Sequence, residues 1–193
     1  MIPGPLIIVS GPSGSGKSTL IRRALAVFGP ELRHAISATT RRRREGEVDG
    51  VDYHFWTRER FEAGIEAGEF LEHATVFGKY DYGTPSSEVV PYRLQGLGVV
   101  LDIDVQGAEQ LRRTCPDGFS VFLETPAGEY ERRLRDRGTD SEEAIQRRLE
   151  SARSELARVQ EFHARLVNDD VERAVDEFCS LIRSRFEAAR KGR

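Results

Sequence analysis

Hydrophobic residues along this chain occur both in short continuous runs and at helical spacing. Continuous apolar runs at residues 6–10, 98–104 and 119–123 predict buried parallel strands, and residues 166–168 predict a further one. Strand-like and helical stretches alternate, which predicts an α/β core with a parallel sheet and helices on its faces. Two apolar faces have helical spacing: Leu20, Ala24, Val27 and Phe28 after the first run, and Val171, Val175, Phe178, Ile182 and Phe186 near the end.

Residues 35–85 have a different pattern from the rest of the chain. Aromatic stretches at residues 53–56 and 70–76 predict short strands. Turn signals lie at Asp49-Gly50, Gly78 and Gly83. This part of the sequence therefore predicts a small mixed lobe inserted into the core.

Residues 125–160 predict a pair of helices. Thr125-Pro126 is a typical helix start, Gly138 ends the first helix, and a second helix opens at residues 140–143 with the sequence Asp-Ser-Glu-Glu. The second helix carries an apolar stripe shorter than three heptads, so we expect it to pack against the core and not to form a coiled coil. The stripe consists of Ile145, Leu149, Ala152, Leu156 and Val159.

Composition narrows the class of protein. The chain has 193 residues, a net charge of −3 and no apolar run long enough to cross a bilayer. We expect one cytosolic domain that associates with neither membranes nor nucleic acids in general. Cys115 and Cys179 match no metal or redox spacing and are expected to be reduced, and the four histidines are scattered.

The first apolar run leads into a pattern that binds phosphate groups. Gly11, Gly16, Lys17 and Ser18 fill the fixed positions of G-x-x-x-x-G-K-[ST]. Backbone N–H groups of such a loop turn inward around a phosphate, and the positive end of the next helix points at the same anion. The motif predicts a nucleoside triphosphate site. Its expected residues are Gly11, Pro12, Ser13, Gly14, Ser15, Gly16, Lys17 and Ser18.

Four further motifs follow in order, at residues 39–53, 70–74, 78–84 and 101–107. Together with the phosphate-binding loop they resemble guanylate kinase, the family that transfers a phosphoryl group from ATP to GMP. The resemblance continues to Val-Asn-Asp-Asp at residues 167–170 and so covers nearly the whole chain. It implies the P-loop nucleoside monophosphate kinase fold as a single domain. The implied parts are a core (residues 1–34, 86–124 and 161–193), a GMP-binding lobe (35–85) and a helical lid (125–160).

The resemblance also assigns the residues that would bind the phosphate of GMP. Guanidinium groups grip phosphate oxygens in a planar fork, and the family pattern gives this role to Arg41 and Arg44. Arg42 and Arg43 are expected to face solvent, and a solvated basic face or an RNA patch is the alternative interpretation of the arginine run. The hydroxyl groups expected to assist are those of Ser37, Tyr53 and Tyr82.

Recognition of guanine requires acceptors for its N1 and N2 donors and a donor for O6. By resemblance the acceptors are the carboxylates of Glu72 and Asp104, and Thr84 is at the position of the donor. Adenine would leave these groups mismatched, so the pattern predicts selection against AMP, with dGMP accepted alongside GMP. Without the surrounding motif, Glu72 would be interpreted equally well as a surface carboxylate on a strand.

Two departures from the family pattern concern the same lobe. Arg43 stands where the family has proline, which loosens the loop that carries Arg44. The motif at residues 78–84 is one residue longer than usual. We align Tyr82 with the phosphate-binding tyrosine because Gly83-Thr84 follows it, and Tyr80 is the alternative.

Charge compensation during phosphoryl transfer is expected from Lys17 and from three lid arginines that the resemblance identifies, Arg133, Arg137 and Arg148. Ordinary exposed arginines on a charged helix are the alternative. Mg²⁺ is the implied cofactor, held by the Ser18 hydroxyl and through water by Asp102, for which a buried hydrogen-bonding role is equally possible. Asn168 would contact adenine by resemblance.

Two other functions compete with this prediction. Domains with this fold also serve as protein-binding modules without catalysis, but such modules typically lose the phosphate-binding loop, which this chain keeps. Kinases of the same fold act on other phosphorylated small molecules, but they need neither the base-reading lobe nor its carboxylates. A panel of phosphate acceptors distinguishes the three functions.

Overall fold

The computed structural model describes residues 3–76, 78–136 and 142–191. Its strands form two sheets. The strands are β1 Leu6–Ser10, β2 Leu32–His34, β3 Ala38–Thr39, β4 His54–Phe55, β5 Phe70–Val76, β6 Tyr80–Pro85, β7 Gly98–Asp102, β8 Phe119–Glu124 and β9 Ala164–Val167. The α-helices are α1 Lys17–Phe28, α2 Arg58–Glu66, α3 Val90–Leu94, α4 Val105–Thr114, α5 Ala127–Asp136, α6 Glu142–Leu156 and α7 Val171–Lys191.

The larger sheet is parallel throughout and has the strand order β2-β7-β1-β8-β9. Strand β1 lies in its centre, with Ile7 paired to Val100 of β7 and to Phe119 of β8. All five residues of β1 are buried because helices cover both faces, as the continuous apolar run predicted. The α/β class and the parallel core are confirmed.

Alternate residues of the central strands enter two separate hydrophobic clusters. On one face Ile7 and Val9 pack with α1 and with Phe178 and Ile182 of α7. On the other face the neighbours of Leu6 and Ile8 include Leu111 of α4 and Val89. The apolar face predicted near the end of the chain is therefore the buried face of α7, although Val171 and also Val27 of α1 remain exposed.

The smaller sheet lies within residues 38–85 and has the order β4-β3-β6-β5, with only β3 and β4 parallel. Strand β5 matches its predicted bounds, whereas the stretch predicted at residues 53–56 forms only the two-residue strand β4. The turn predicted at Gly83 is wrong, because Gly83 lies buried inside β6. A Cβ there would lie 2.8 Å from the backbone oxygen of Glu72, so close strand packing explains this glycine.

Two strand ends differ from the apolar runs that predicted them. Strand β7 ends at Asp102, earlier than the predicted residue 104, because Asp104 is the N-cap of α4. Its Oδ1 accepts hydrogen bonds from the backbone N–H groups of Gln106 and Gly107, which begins the helix. Strand β9 comes earlier than predicted and ends before Asn168.

Helices α5 and α6 pack against each other through a small cluster of their own. Tyr130 of α5 and Ala152 of α6 are buried together, with Leu149 beside them, so two residues of the predicted stripe, Leu149 and Ala152, face α5. Helix α6 ends at Leu156, and Val159 begins a separate 3₁₀ turn, so the predicted stripe was one step too long. The predicted boundary residues Gly138 and Asp140 lie outside the described residues.

The cysteines and the hydropathy of the helices bear on two of the expectations drawn from composition. Cys115 and Cys179 are both free thiols. Within the described part of the chain, no helix is both long enough and apolar enough to span a membrane.

Glu88 connects the two sheets through a single carboxylate. It lies in a 3₁₀ turn after β6, and it pairs with the guanidinium of Arg33 on β2 and with Nε2 of His54 on β4, the latter at 3.1 Å. The backbone N–H of Ile36 also donates to it. Its side chain is only 17% exposed, so these contacts are shielded from solvent. The chain crosses between the two sheets once before β3 and once after β6. Glu88 lies in the second crossing and accepts from Ile36 in the first, so it holds the two crossings together.

We expect Glu88→Ala to lower the free energy of unfolding by about 2 kcal/mol, because it leaves Arg33 and His54 without their shared acceptor. The matched control is Glu69→Ala, which removes an ion pair with Arg60 whose side chains are 41% and 45% exposed. Screening by solvent limits that loss to about 0–1 kcal/mol. Urea unfolding of the two variants checks this, and equal losses would contradict it.

Candidate active site

The phosphate loop, residues 11–18, joins the end of β1 to the start of α1. Gly11, Gly14 and Gly16 have positive φ, the conformation that glycine adopts without strain. Two of them also make room for neighbours: a Cβ on Gly11 would overlap the backbone oxygen of Leu123, and one on Gly16 would overlap the Asn168 amide. The motif glycines are therefore required by backbone conformation and by close packing together.

A hydrogen bond within the loop and hydrogen bonds from two residues outside it, Thr125 and Asn168, hold the loop in place. The backbone N–H of Ser15 donates to the oxygen of Pro12 at 3.0 Å. The backbone oxygen of Ser15 accepts from Asn168 Nδ2 at 2.7 Å and from Thr125 Oγ1 at 3.4 Å. Asn168 thus supports the loop through its amide, a contact the sequence did not predict, and its contact with adenine stays a prediction.

Lys17 folds back over this loop. Its Nζ donates to the backbone oxygens of Gly11 at 2.7 Å and Pro12 at 3.3 Å, and it lies 3.8 Å from Asp102 Oδ1. Ser18, the next residue, is exposed at the first turn of α1. The ammonium group and the hydroxyl therefore lie at the same end of the helix as the inward-facing loop, which suits a bound polyphosphate.

The structure brings together three of the residues predicted to bind the phosphate of GMP. Arg41 Nε donates to the Tyr82 hydroxyl at 3.3 Å, and the guanidinium lies 5.4 Å from the centre of the Tyr53 ring. The rings of Tyr53 and Tyr82 are 5.8 Å apart, and burial raises the pKa of Tyr53 to about 12, so its hydroxyl stays protonated. Ser37 is half-buried, and its backbone oxygen accepts from His54 N at 2.9 Å.

Glu47 fixes the orientation of Arg41, and the sequence analysis did not assign it. Both nitrogens of the guanidinium fork donate to Glu47, at 2.8 and 3.0 Å, and the backbone N–H of Arg44 donates to it at 2.7 Å. Hydrogen bonding to Arg41 lowers the pKa of Glu47. Arg42, Arg43 and Arg44 are exposed. A carboxylate six residues after an arginine, across a glycine, was the signal available in the sequence.

The predicted guanine acceptors lie on neighbouring elements. Glu72 of β5 is 5% exposed, and the Thr84 hydroxyl donates to its Oε1 at 2.6 Å. Burial raises the pKa of Glu72 to about 7, the hydrogen bond from Thr84 opposes this, and the negative charge of Asp104 adds to it. A buried carboxylate with a strongly raised pKa beside a second carboxylate is typical of a functional site.

The predicted lid arginines are only partly described. Arg148 of α6 donates from Nη1 to the Ser13 hydroxyl at 3.3 Å, which places it at the phosphate loop. Arg133 belongs to α5, but its side chain lies outside the described part of the structure, and Arg137 lies outside it altogether. The Tyr130 hydroxyl, which the sequence analysis missed, donates to the backbone oxygen of Ser13 at 2.7 Å. Two helices thus contact one residue of the loop.

The site offers oxygen ligands suited to a hard divalent cation. Ser18 presents a hydroxyl, and Asp102 presents a carboxylate that is 25% exposed beside Lys17. Among the described residues, no group of three or more His, Cys, Asp or Glu side chains is arranged to hold a metal ion. Mg²⁺ commonly binds through one or two protein oxygens together with substrate phosphates, and this donor set fits that mode.

Comparisons with known proteins agree with this geometry. The sequence model of the family "Guanylate kinase" matches residues 4–185. The chain belongs to the guanylate kinase family. Guanylate kinases of Rubrobacter xylanophilus (50% identical, covering 93% of this chain and 94% of that protein) and Syntrophotalea carbinolica (48% identical, 93% and 85%) are similar to it. A crystal structure of the guanylate kinase of Anaplasma phagocytophilum has a TM-score of 0.76 at 29% identity, covering 94% of this chain and 86% of that one.

The raised pKa of Glu72 makes a prediction about stability. The folded protein holds this proton up to about pH 7, whereas a carboxyl in the unfolded chain loses it near 4.5. Relative to Glu72→Gln, the free energy of unfolding of the unmodified protein should therefore rise as the pH falls from about 7 to 4.5, by up to about 3 kcal/mol. Urea unfolding from pH 8 to pH 5 measures it, with Glu62→Gln on α2 as control. A pH-independent difference would contradict a buried Glu72.

Proposed function

We propose that this protein transfers the γ-phosphoryl group of ATP to GMP, giving ADP and GDP. The observation that carries the proposal is the position of β7, whose end supplies groups to both halves of the site. Asp102 lies 3.8 Å from Lys17 of the phosphate loop, and Asp104, two residues later, acts electrostatically on Glu72. A triphosphate site and a base-reading site are therefore adjacent.

On the donor side, the backbone of residues 11–18 binds the β- and γ-phosphates with Lys17. The three loop glycines leave room for backbone N–H groups to approach the anion. Ser18 and, through water, Asp102 would hold Mg²⁺. The cation supplies electrostatic stabilisation of the phosphate oxygens when it is bound.

On the acceptor side, Arg41 and Arg44 bind the phosphate of GMP with the hydroxyl groups of Tyr53, Tyr82 and Ser37. The Arg41–Tyr82 hydrogen bond and the packing of Tyr53 beside Tyr82 support this set. Glu72 and Asp104 accept from N1 and N2 of guanine, for which Glu72 must be ionised. Donors of guanine replace the lost hydration of this carboxylate and so favour its charged form.

Transfer requires alignment and charge compensation more than covalent chemistry from the protein. An oxygen of the GMP phosphate forms a bond to the γ-phosphorus, and the bond from that phosphorus to the β,γ-bridging oxygen breaks, leaving ADP. Lys17 and Arg148 stabilise the charge on the transferring group, together with Arg133 and Arg137. The contact of Arg148 with Ser13 supports its place at the loop.

The non-catalytic alternative is less well supported. A protein-binding module needs no ordered phosphate loop. Here Asn168 and Thr125 donate hydrogen bonds to the loop, and the motif lysine, Lys17, donates to the loop backbone. A kinase for a different phosphorylated small molecule needs no buried Glu72 paired with Thr84. Among the three functions, phosphorylation of GMP accounts for the most features of the site.

ADP formation from ATP and Mg²⁺ is expected to require GMP or dGMP and to be negligible with AMP or with no acceptor. The reason is that the acceptor completes the site and that AMP mismatches Glu72 and Asp104. A coupled assay with a panel of nucleoside monophosphates measures this. Rapid ATP hydrolysis without an acceptor, or equal rates with AMP, would contradict the proposal.

A pair of tyrosine variants tests the phosphate site. Tyr82→Phe removes the hydroxyl that contacts Arg41, so we expect KM for GMP to rise roughly tenfold with little change in KM for ATP. Tyr80→Phe is the matched control, because Tyr80 lies two residues earlier on the same strand and packs under Lys79. If Tyr80→Phe has the larger effect, the alternative alignment of the two tyrosines is correct.

A further inference from the structure

Gly107 lies between the two carboxylates that are proposed to read guanine. It is the third residue of α4. Asp104 is the N-cap of this helix, and β5 packs against it. A glutamate or glutamine is common at this helix position because its side chain returns to the cap. Glycine has no such role here, and helix propensity disfavours it. The reason for this glycine must therefore be sought in its neighbours.

The backbone of Gly107 contacts one of the carboxylates. Its N–H donates to Asp104 Oδ1 at 2.8 Å, next to the bond that Gln106 donates to the same oxygen at 2.9 Å. These bonds fix Oδ1 toward the helix. Because both bonds hold the same carboxylate group, they also set the direction in which its second oxygen, Oδ2, points.

The missing side chain of Gly107 leaves space for the other carboxylate. A Cβ at this position would lie 2.5 Å from Glu72 Oε2, closer than packed atoms approach, and 3.1 Å from its Cδ, which is a tight contact. It would also lie 3.4 Å from Ile103 Cδ1, an ordinary contact. The obstruction is therefore specific to Glu72.

Glu72 cannot easily move away from such an atom. Its Oε1 accepts the 2.6 Å hydrogen bond from Thr84, and its side chain is 5% exposed. The helix is equally constrained, because Ala108 and Leu111 on α4 belong to the core cluster beneath the sheet. An added methyl group would thus force the carboxylate out of its position or break its bond to Thr84.

We propose that Gly107 is a positioning residue for guanine recognition. It acts through the two carboxylates: its N–H orients Asp104, and its bare Cα sets how closely Glu72 approaches the end of α4. The inference rests on the proposed function, because it concerns how that site tells guanine from other bases.

The test is Gly107→Ala in the full chain. Alanine favours the helix by about 1 kcal/mol, so propensity alone would stabilise the variant. We expect KM for GMP to rise roughly tenfold or more while KM for ATP changes little. The preference in kcat/KM for GMP over IMP, which lacks the 2-amino donor, should fall by a similar factor, since misplaced acceptors no longer match that donor. A general loss of structure would not lower this preference selectively.

The matched control is Gly128→Ala, a glycine in α5 whose added Cβ would meet no atom of the described residues within 4 Å. We expect it to keep the unmodified KM for GMP and the same preference over IMP. If Gly107→Ala keeps them too, the inference is wrong. If the unmodified protein does not phosphorylate GMP, the proposed function fails instead, which distinguishes the two failures.

A second variant tests the cause of the effect. Glu72→Asp shortens the side chain by one methylene and so vacates the space that the new methyl group needs. In the Gly107→Ala background it should restore part of the GMP preference, although alone it should reduce that preference, so the two changes are non-additive. If Gly107→Ala does not fold, the double variant should fold and bind GMP. Additive losses, or a double variant that also fails to fold, would overturn the inference.

Discussion

Hydrogen bonding of β1 to β7 on one side and β8 on the other is the constraint that the site depends on. In a parallel sheet the carboxyl ends of neighbouring strands meet at one edge, where ligands of open α/β sheets bind. Here β1 leads into the phosphate loop, β7 ends at Asp102 with the cap residue Asp104 two positions later, and β8 ends just before Thr125, which donates to the loop. Three strands that are neighbours in the sheet, β7, β1 and β8, thus place the carboxylates, the loop and the residues before α5 at one edge.

Close packing of polar groups is the second constraint, and it acts against stability. The carboxylate of Glu72 is buried among β5, β6 and α4, and this burial is what raises its pKa to about 7. A buried carboxylate is costly unless hydrogen-bond partners or an opposite charge satisfy it. Under the proposed function, the N–H donors of guanine would remove that cost on binding, and the cost in the free protein would become selectivity for a base with two adjacent N–H groups.

Local pattern predicted the parts of the structure that depend on nearby residues. The strands β1 and β5 matched their predicted bounds because apolar runs and flanking turns define them, and the loop matched because its glycines and lysine are fixed by one motif. Strand β6 was missed because Gly83 signals a turn locally, while its reason is the backbone of Glu72 on another strand. Tyr130 was missed for the same reason, because its partner Ser13 is brought near only by tertiary folding. The close approach of Glu72 to Gly107 is likewise a contact between residues distant in the chain. Glu47 differs: its partners Arg41 and Arg44 are near it in sequence, but spacing alone does not show which carboxylate a guanidinium contacts.

Contacts within the protein itself orient the charged groups around Arg41. Of the five N–H donors of a guanidinium, those of Arg41 make four hydrogen bonds within the described structure: two to Glu47, one to Tyr82 and one to the backbone oxygen of Arg42. Under the proposed function, a phosphate dianion would meet a guanidinium that is already oriented and mostly hydrogen-bonded. Exposed Arg44, whose backbone N–H donates to the same Glu47, would then supply a second fork. Glu47 thus orients one arginine and anchors the backbone of the other, so both can respond to the same anion. Positive charge clustered locally in this way can attract a phosphate dianion even to a chain whose net charge is −3.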